Sequence, residues 1–252
     1  MFKFGKWFGC LVLTWAFTIS VGQARAQGIP VNFTNNQAKP IQLNFTLLNH
    51  AAGPITWGAG CEQASTAAFS SYATIKPGTT CSATVDPSAG SSRFCATFGG
   101  APVDCMNGQN LHLTLIETNF EASTNPGCFG KGACVWYDIS VIPSNCTDPL
   151  WKANRCRGTG GASYNLPVTL ACQGNPEMPV YICKGPPGTK YGSEKYPSNC
   201  GNPDAKCATG SPGCRQGVSA YFYPMFDPPE NTYQPNAVCL NGTFTATFPP
   251  GS

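Results

Sequence analysis

The sequence predicts an all-β fold, a flattened antiparallel β-sandwich with an inserted disulfide-rich loop lobe. Three observations predict it. Helical periodicity is nearly absent. Short runs of alternating apolar and polar residues recur, each bounded by Gly, Pro, Asn or Ser. The 28 glycines and 23 prolines supply the turns between them.

The first 26 residues stand apart from this pattern. "MFKFGKW" carries two lysines, a short apolar run follows, and "ARA" precedes Gln27. That order reads as a secretory signal peptide, with the mature domain spanning 27–252 and no membrane span after cleavage. The alternating runs are then "IPVNFTNN", "IQLNFTLL", "CSATVDP", "LHLTLIETNF", "VWYDISVI", "YNLPVTLAC", "SAYFYP" and "GTFTATF". They place the sandwich core at about 28–172 and 217–249. Between those blocks, 173–216 is rich in Pro, Gly and Lys and carries Cys183, Cys200, Cys207 and Cys214. A segment that buries so little apolar surface needs cross-links to stay ordered, so it reads as a loop-rich lobe.

Of 15 cysteines, Cys10 leaves with the leader. The 14 that remain are Cys61, Cys81, Cys95, Cys105, Cys128, Cys134, Cys146, Cys156, Cys172, Cys183, Cys200, Cys207, Cys214 and Cys239. An even number in a secreted chain predicts a disulfide framework, whose pairing spacing alone does not give. No C-x-x-C pair occurs and His50 and His112 lie far from any cysteine pair, so no metal site is expected, nor any cofactor. Sequons stand at Asn32, Asn44, Asn145 and Asn241 and are candidates for glycosylation in a eukaryotic secretory pathway.

Removing Lys3, Lys6 and Arg25 lowers the basic count from 15 to 12, equal to the 12 acidic residues, all of them in the mature part. A neutral chain with no basic run is a poor partner for nucleic acid or anionic membranes, and suits a neutral ligand such as a polysaccharide. The two histidines have no G-x-S-x-G motif beside them, and an even cysteine count leaves no free catalytic thiol, which argues against serine and cysteine hydrolases.

Three separated segments carry a resemblance. They are "IKPGTTCSATVDPSAGSSRFCAT", then "LTLIETNF" followed by "YDISVI" and "YNLPVTL", then "AYFYPMFD" followed by "CLNGTFTATFPP". In this order they resemble the thaumatin-like proteins. The terminal cysteine pair of that family is missing at both ends together, which leaves the count even. The resemblance implies a sandwich and a cysteine-rich lobe separated by an acidic cleft. Carried over by position, the family's acids fall on Glu117, Asp138 and Asp227. The family arginine falls on Thr97, the tryptophan before it on Cys95 and a further Asp on Pro143, so the resemblance implies three acids without a cation.

Carboxylates that face one another without a cation favour protonation of one of them, which a general acid needs. Glu117 and Asp138 are therefore the candidate catalytic pair for an enzyme. Asp227 and Thr97 would complete the cleft, and Phe226, Tyr233 and Trp136 are candidates for stacking on sugar rings. In "AYFYPMFDPP", Tyr221 and Tyr223 share one strand face and Pro224 ends the run, which places Asp227 at the rim.

The resulting expectation is a secreted, extracellular or wall-associated monomer that binds polysaccharide such as β-1,3-glucan, with an antifungal or host-interaction role. The incomplete acid set favours binding over catalysis by a weak endo-β-1,3-glucanase. A structural wall protein, or an effector that binds another protein, is the third reading.

Overall fold

The structure, a computed structural model, describes residues 28–142, 149, 164–175, 178, 180–184 and 237–250. The leader, "SAYFYP", Asp227, Phe226, Tyr233, Asn145, Cys146, Cys156, Cys200, Cys207 and Cys214 lie outside the described residues.

Among the described residues, thirteen strands form two sheets. The six-stranded sheet runs β11(Tyr181–Cys183), β10(Val168–Gln173), β13(Thr243–Phe248), β1(Ile29–Asn35), β6(Thr79–Val85), β3(Ile55–Trp57). The seven-stranded sheet runs β12(Ala237–Leu240), β9(Cys134–Ser140), β8(Leu115–Glu121), β7(Gly90–Thr97), β2(Ile41–Leu47), β5(Ser71–Ile75), β4(Glu62–Thr66). Every described pairing is antiparallel except β1 with β13, where Val31 stands opposite Phe244 and Asn35 opposite Phe248. The predicted all-β sandwich is the fold observed. No helix among the described residues is long and apolar enough to cross a membrane.

The alternation that marked the strands also builds the core. Val31 and Phe33 on β1, and Phe244, Ala246 and Phe248 on β13, point inward. They meet Phe45, Phe94, Ile116, Phe120, Tyr137 and Ile139 from the opposite sheet. Aromatic rings bridge the layers: Phe33 lies 4.8 Å from Phe94, and Tyr137 lies 5.1 Å from Phe244. Within the seven-stranded sheet Phe45 stacks on Phe94 at 4.3 Å. Gly53 supports this stack, because a Cβ there would lie 2.1 Å from the Phe45 ring.

Strand β2 is buried on both faces. Its inner face meets the core, and its outer face is covered by the segment that follows β7. The Val103 amide donates to Asn44 Oδ1 at 3.1 Å, and the Cys105 amide donates to Thr46 Oγ1 at 3.1 Å. The Cys95–Cys105 disulfide clamps this segment to β7. Further disulfides join Cys61–Cys81, Cys128–Cys134 and Cys172–Cys239, and Cys183 is also disulfide-bonded.

Three details differ from the sequence reading. The run "LHLTLIETNF" begins as strand only at Leu115, because Leu111 to Leu113 belong to a turn in which the Leu113 amide donates to Gly108 O and His112 has φ +54°. The expected lobe opens with a strand, since β11 pairs with β10 and buries Tyr181 and Cys183. The sequon at Asn44 is closed to glycosylation: its side chain is fully buried, with its amide donating to Gln42 O. Asn32 is half-buried and Asn241 is exposed.

Candidate functional site

On the outer face of the seven-stranded sheet, strands β7, β8 and β9 set polar side chains in register. Arg93 stands opposite Glu117, and Glu117 stands opposite Asp138. One row further along the strands, Ser91, Asn119 and Trp136 stand opposite one another. The period of two that sends Phe94, Ile116, Tyr137 and Ile139 into the core sends these residues outward. Together with Leu48 and Met106 they line a groove of about 300 Å³.

The groove is held by specific contacts. Arg93 Nη2 lies 2.7 Å from Glu117 Oε1, and Arg93 Nη1 donates to the Met106 carbonyl at 3.3 Å. Met106 sits in the 3-10 turn Cys105–Asn107, which Asp104 caps by accepting from the Met106 amide at 2.9 Å. His50 Nδ1 lies 2.6 Å from the other Asp104 oxygen. In the second row Ser91 Oγ donates to Asn119 Oδ1 at 3.3 Å, and Asn119 Nδ2 donates to Glu121 Oε1 at 2.7 Å.

Asp138 is the uncompensated carboxyl of the row. Its Oδ1 is enclosed and has no hydrogen-bond partner among the described residues; the same holds for the hydroxyl of Ser140, two residues on along the same face, and for Glu117 Oε1, whose contact with Arg93 is an ion pair without hydrogen-bond geometry. Burial pushes the Asp138 carboxyl well above the usual carboxylate range, the neighbouring Glu117 pushes it further, and Arg93 opposes both. The pair thus combines a Glu117 side chain held by a guanidinium with an Asp138 side chain that favours its proton.

The expected set of acids without a cation needs correction. Arg93 supplies the positive charge, from a position four residues before Thr97 on the same strand and the same face. Thr97 lies past the end of the β7–β8 pairing, opposite Gln42 of β2, where its hydroxyl donates to Gly99 O at 3.1 Å. It is absent from the groove lining, whereas Glu117, Asp138 and Trp136 all belong to it. Sequence reasoning missed Arg93, Ser91, Asn119, Leu48 and Met106. Strand alternation puts Arg93 and Thr97 on one face, and only the register separates them. Glu121, Cys128 and Cys134 bring ligand-type atoms together, but both cysteines are committed to one disulfide, so the cluster offers no thiolate to a metal.

No protein-family model matches the chain, and no curated protein matches it. Among solved structures, the crystal structure of the protein elicitor MoHrip2 from Magnaporthe oryzae aligns with 87% of this chain and 98% of its own, at 14% identity and a TM-score of 0.35. At that score the likeness assigns neither a site nor an activity.

Proposed function

We propose that this chain is a divergent thaumatin-like, disulfide-stabilised secreted protein whose groove binds a neutral polysaccharide strand, with cell-wall β-1,3-glucan the first candidate. The observation that carries this reading is Trp136, half-buried but lining the groove at one side of a row of hydrogen-bonding side chains. An aromatic face beside fixed donors and acceptors is what a sugar ring uses, since its C–H face stacks and its hydroxyls bond in the ring plane. The neutral mature charge agrees with an uncharged ligand. The disulfides agree with an oxidising, extracellular setting.

Catalysis is the second reading, and one observation favours it. Glu117 and Asp138 are adjacent carboxyls, and burial pushes the Asp138 carboxyl up, which suits a general acid standing beside a second carboxyl at one glycosidic bond. The Arg93 contact weighs against it, because it ties up one of the two Glu117 oxygens.

Pull-down on insoluble β-1,3-glucan, with cellulose and chitin alongside, tests the proposal. Wild type should partition into the glucan pellet and Trp136→Ala should remain in solution while melting normally. Release of reducing ends during the same incubation would move the assignment to hydrolase. Failure to bind any polysaccharide would leave the wall-structural or protein-binding reading.

A further inference from the structure

The Cys128–Cys134 loop holds a feature that neither the core nor the acidic row explains. Phe129 is 60% exposed, and its backbone is left-handed, at φ +53° and ψ 28°. A bulky residue is rare in that conformation. An apolar ring in water on a strained backbone gains nothing for the fold, and several contacts nevertheless hold it in place. Cys128, the residue before it, is buried and bonded to Cys134, the first residue of β9 and two positions before Trp136. Asn125 caps the turn by accepting from the Gly127 amide at 2.9 Å. The loop backbone rests on Glu121, because a Cβ at Gly127 would lie 2.3 Å from Glu121 Oε2, and the other Glu121 oxygen accepts from the groove residue Asn119.

The Phe129 ring lies 6.3 Å from the Trp136 ring at 52°. Asp138 and Trp136 are two residues apart on one strand face, about 7 Å. Phe129 therefore sets a second aromatic face beside the one that Trp136 offers to the groove.

We infer that Phe129 is a second stacking subsite that extends the groove beyond Trp136, so that the ligand is an internal stretch of an oligosaccharide several rings long, not a terminal sugar. This rests on the polysaccharide reading above. The disulfide and the capped turn hold the ring before ligand arrives, which lowers the ordering cost of binding. The two tilted faces suit a chain that twists from one ring to the next more than a flat ribbon.

Titration of β-1,3-linked oligosaccharides from disaccharide to hexasaccharide, followed by tryptophan fluorescence and calorimetry, tests the extension. Wild-type affinity should keep rising beyond the disaccharide. Phe129→Ala and Phe129→Gly should lose about tenfold for the long oligosaccharides and nothing for the disaccharide, and Phe129→Tyr should retain wild-type affinity. Phe129→Gly should melt no lower than wild type, since glycine accepts the left-handed backbone freely. Binding that depends on Trp136 but is indifferent to Phe129 at every length would overturn the extension and spare the groove. Wild type that binds no length would refute both. Equal loss at all lengths would show that the Phe129 ring supports the groove and is not a subsite.

Discussion

Replacing Arg93 by methionine probes the charge row most directly. The variant keeps an apolar stem of similar reach and removes two contacts, to Glu117 at 2.7 Å and to the Met106 carbonyl at 3.3 Å. The pair is neither exposed nor buried, with 23% of the Arg93 side chain and 29% of the Glu117 side chain accessible. Exposed pairs contribute up to about 1 kcal/mol, and breaking a buried pair costs about 3–5 kcal/mol. The expected loss at neutral pH is therefore about 2 kcal/mol, or roughly 4–8 °C in Tm for a domain of this size. The pH dependence carries the sharper test. The Asp138 carboxyl is raised in the folded state, so its contribution to stability is complete below the ordinary carboxylate range and is lost as pH rises through the raised value. Arg93 lowers that value, so its removal extends the loss to higher pH. The gap between variant and wild type should widen from acid toward neutral in urea melts across about pH 3–8. In the Arg93→Met background, Glu117→Gln should cost nothing or restore stability. A loss of equal size at every pH, with additive single substitutions, would show that Arg93 acts through its packed stem, and the electrostatic reasoning would fail.

Three further outcomes are expected. Asp138→Asn should raise stability at neutral pH, with the gain vanishing in acid, because the buried carboxyl no longer has to ionise; chemical denaturation at two pH values measures it. Gly53→Ala should cost about 1–3 kcal/mol, because the Phe45 ring it would meet is backed by Phe94 and cannot withdraw; melts should fall while glycan binding by folded protein stays unchanged. Asn44→Ala should cost about 1–3 kcal/mol by leaving the Val103 amide without its acceptor, and the intact mass of protein from a glycosylating host should contain no glycan at Asn44.

Strands that bury one face were legible in the sequence. Val31, Phe33 and Asn35 alternate with exposed or half-exposed residues on β1, and Phe244, Ala246 and Phe248 do so on β13, so burial itself wrote the period of two. Strand β4 was illegible for the converse reason: all five of its residues are exposed, and an edge strand without an apolar face leaves no alternation to read. "LHL" misled because alternation over three residues occurs by chance within a turn. For the site, Glu117, Asp138 and Trp136 were legible as outward residues on patterned strands. Arg93 was not, because a shift of four residues along β7 keeps the face and changes only the cross-strand neighbour, and neighbours belong to register.

The parallel partnership of β1 and β13 governs the order in which such a chain can mature. Strand β1 occupies the interior of its sheet, between β13 and β6, so its outer edge stays open until almost all of the described chain has been made. Three of the described disulfides close over spans of 20, 10 and 6 residues and can form on local segments before the chain is complete. The Cys172–Cys239 bond spans 67 residues and awaits the arrival of β12, immediately before β13. The chain is therefore cross-linked locally before its first strand meets its last, with β1 and β10 unprotected in the interval. A nascent chain stalled before residue 243 would present both open edges to chaperones or to another copy of itself.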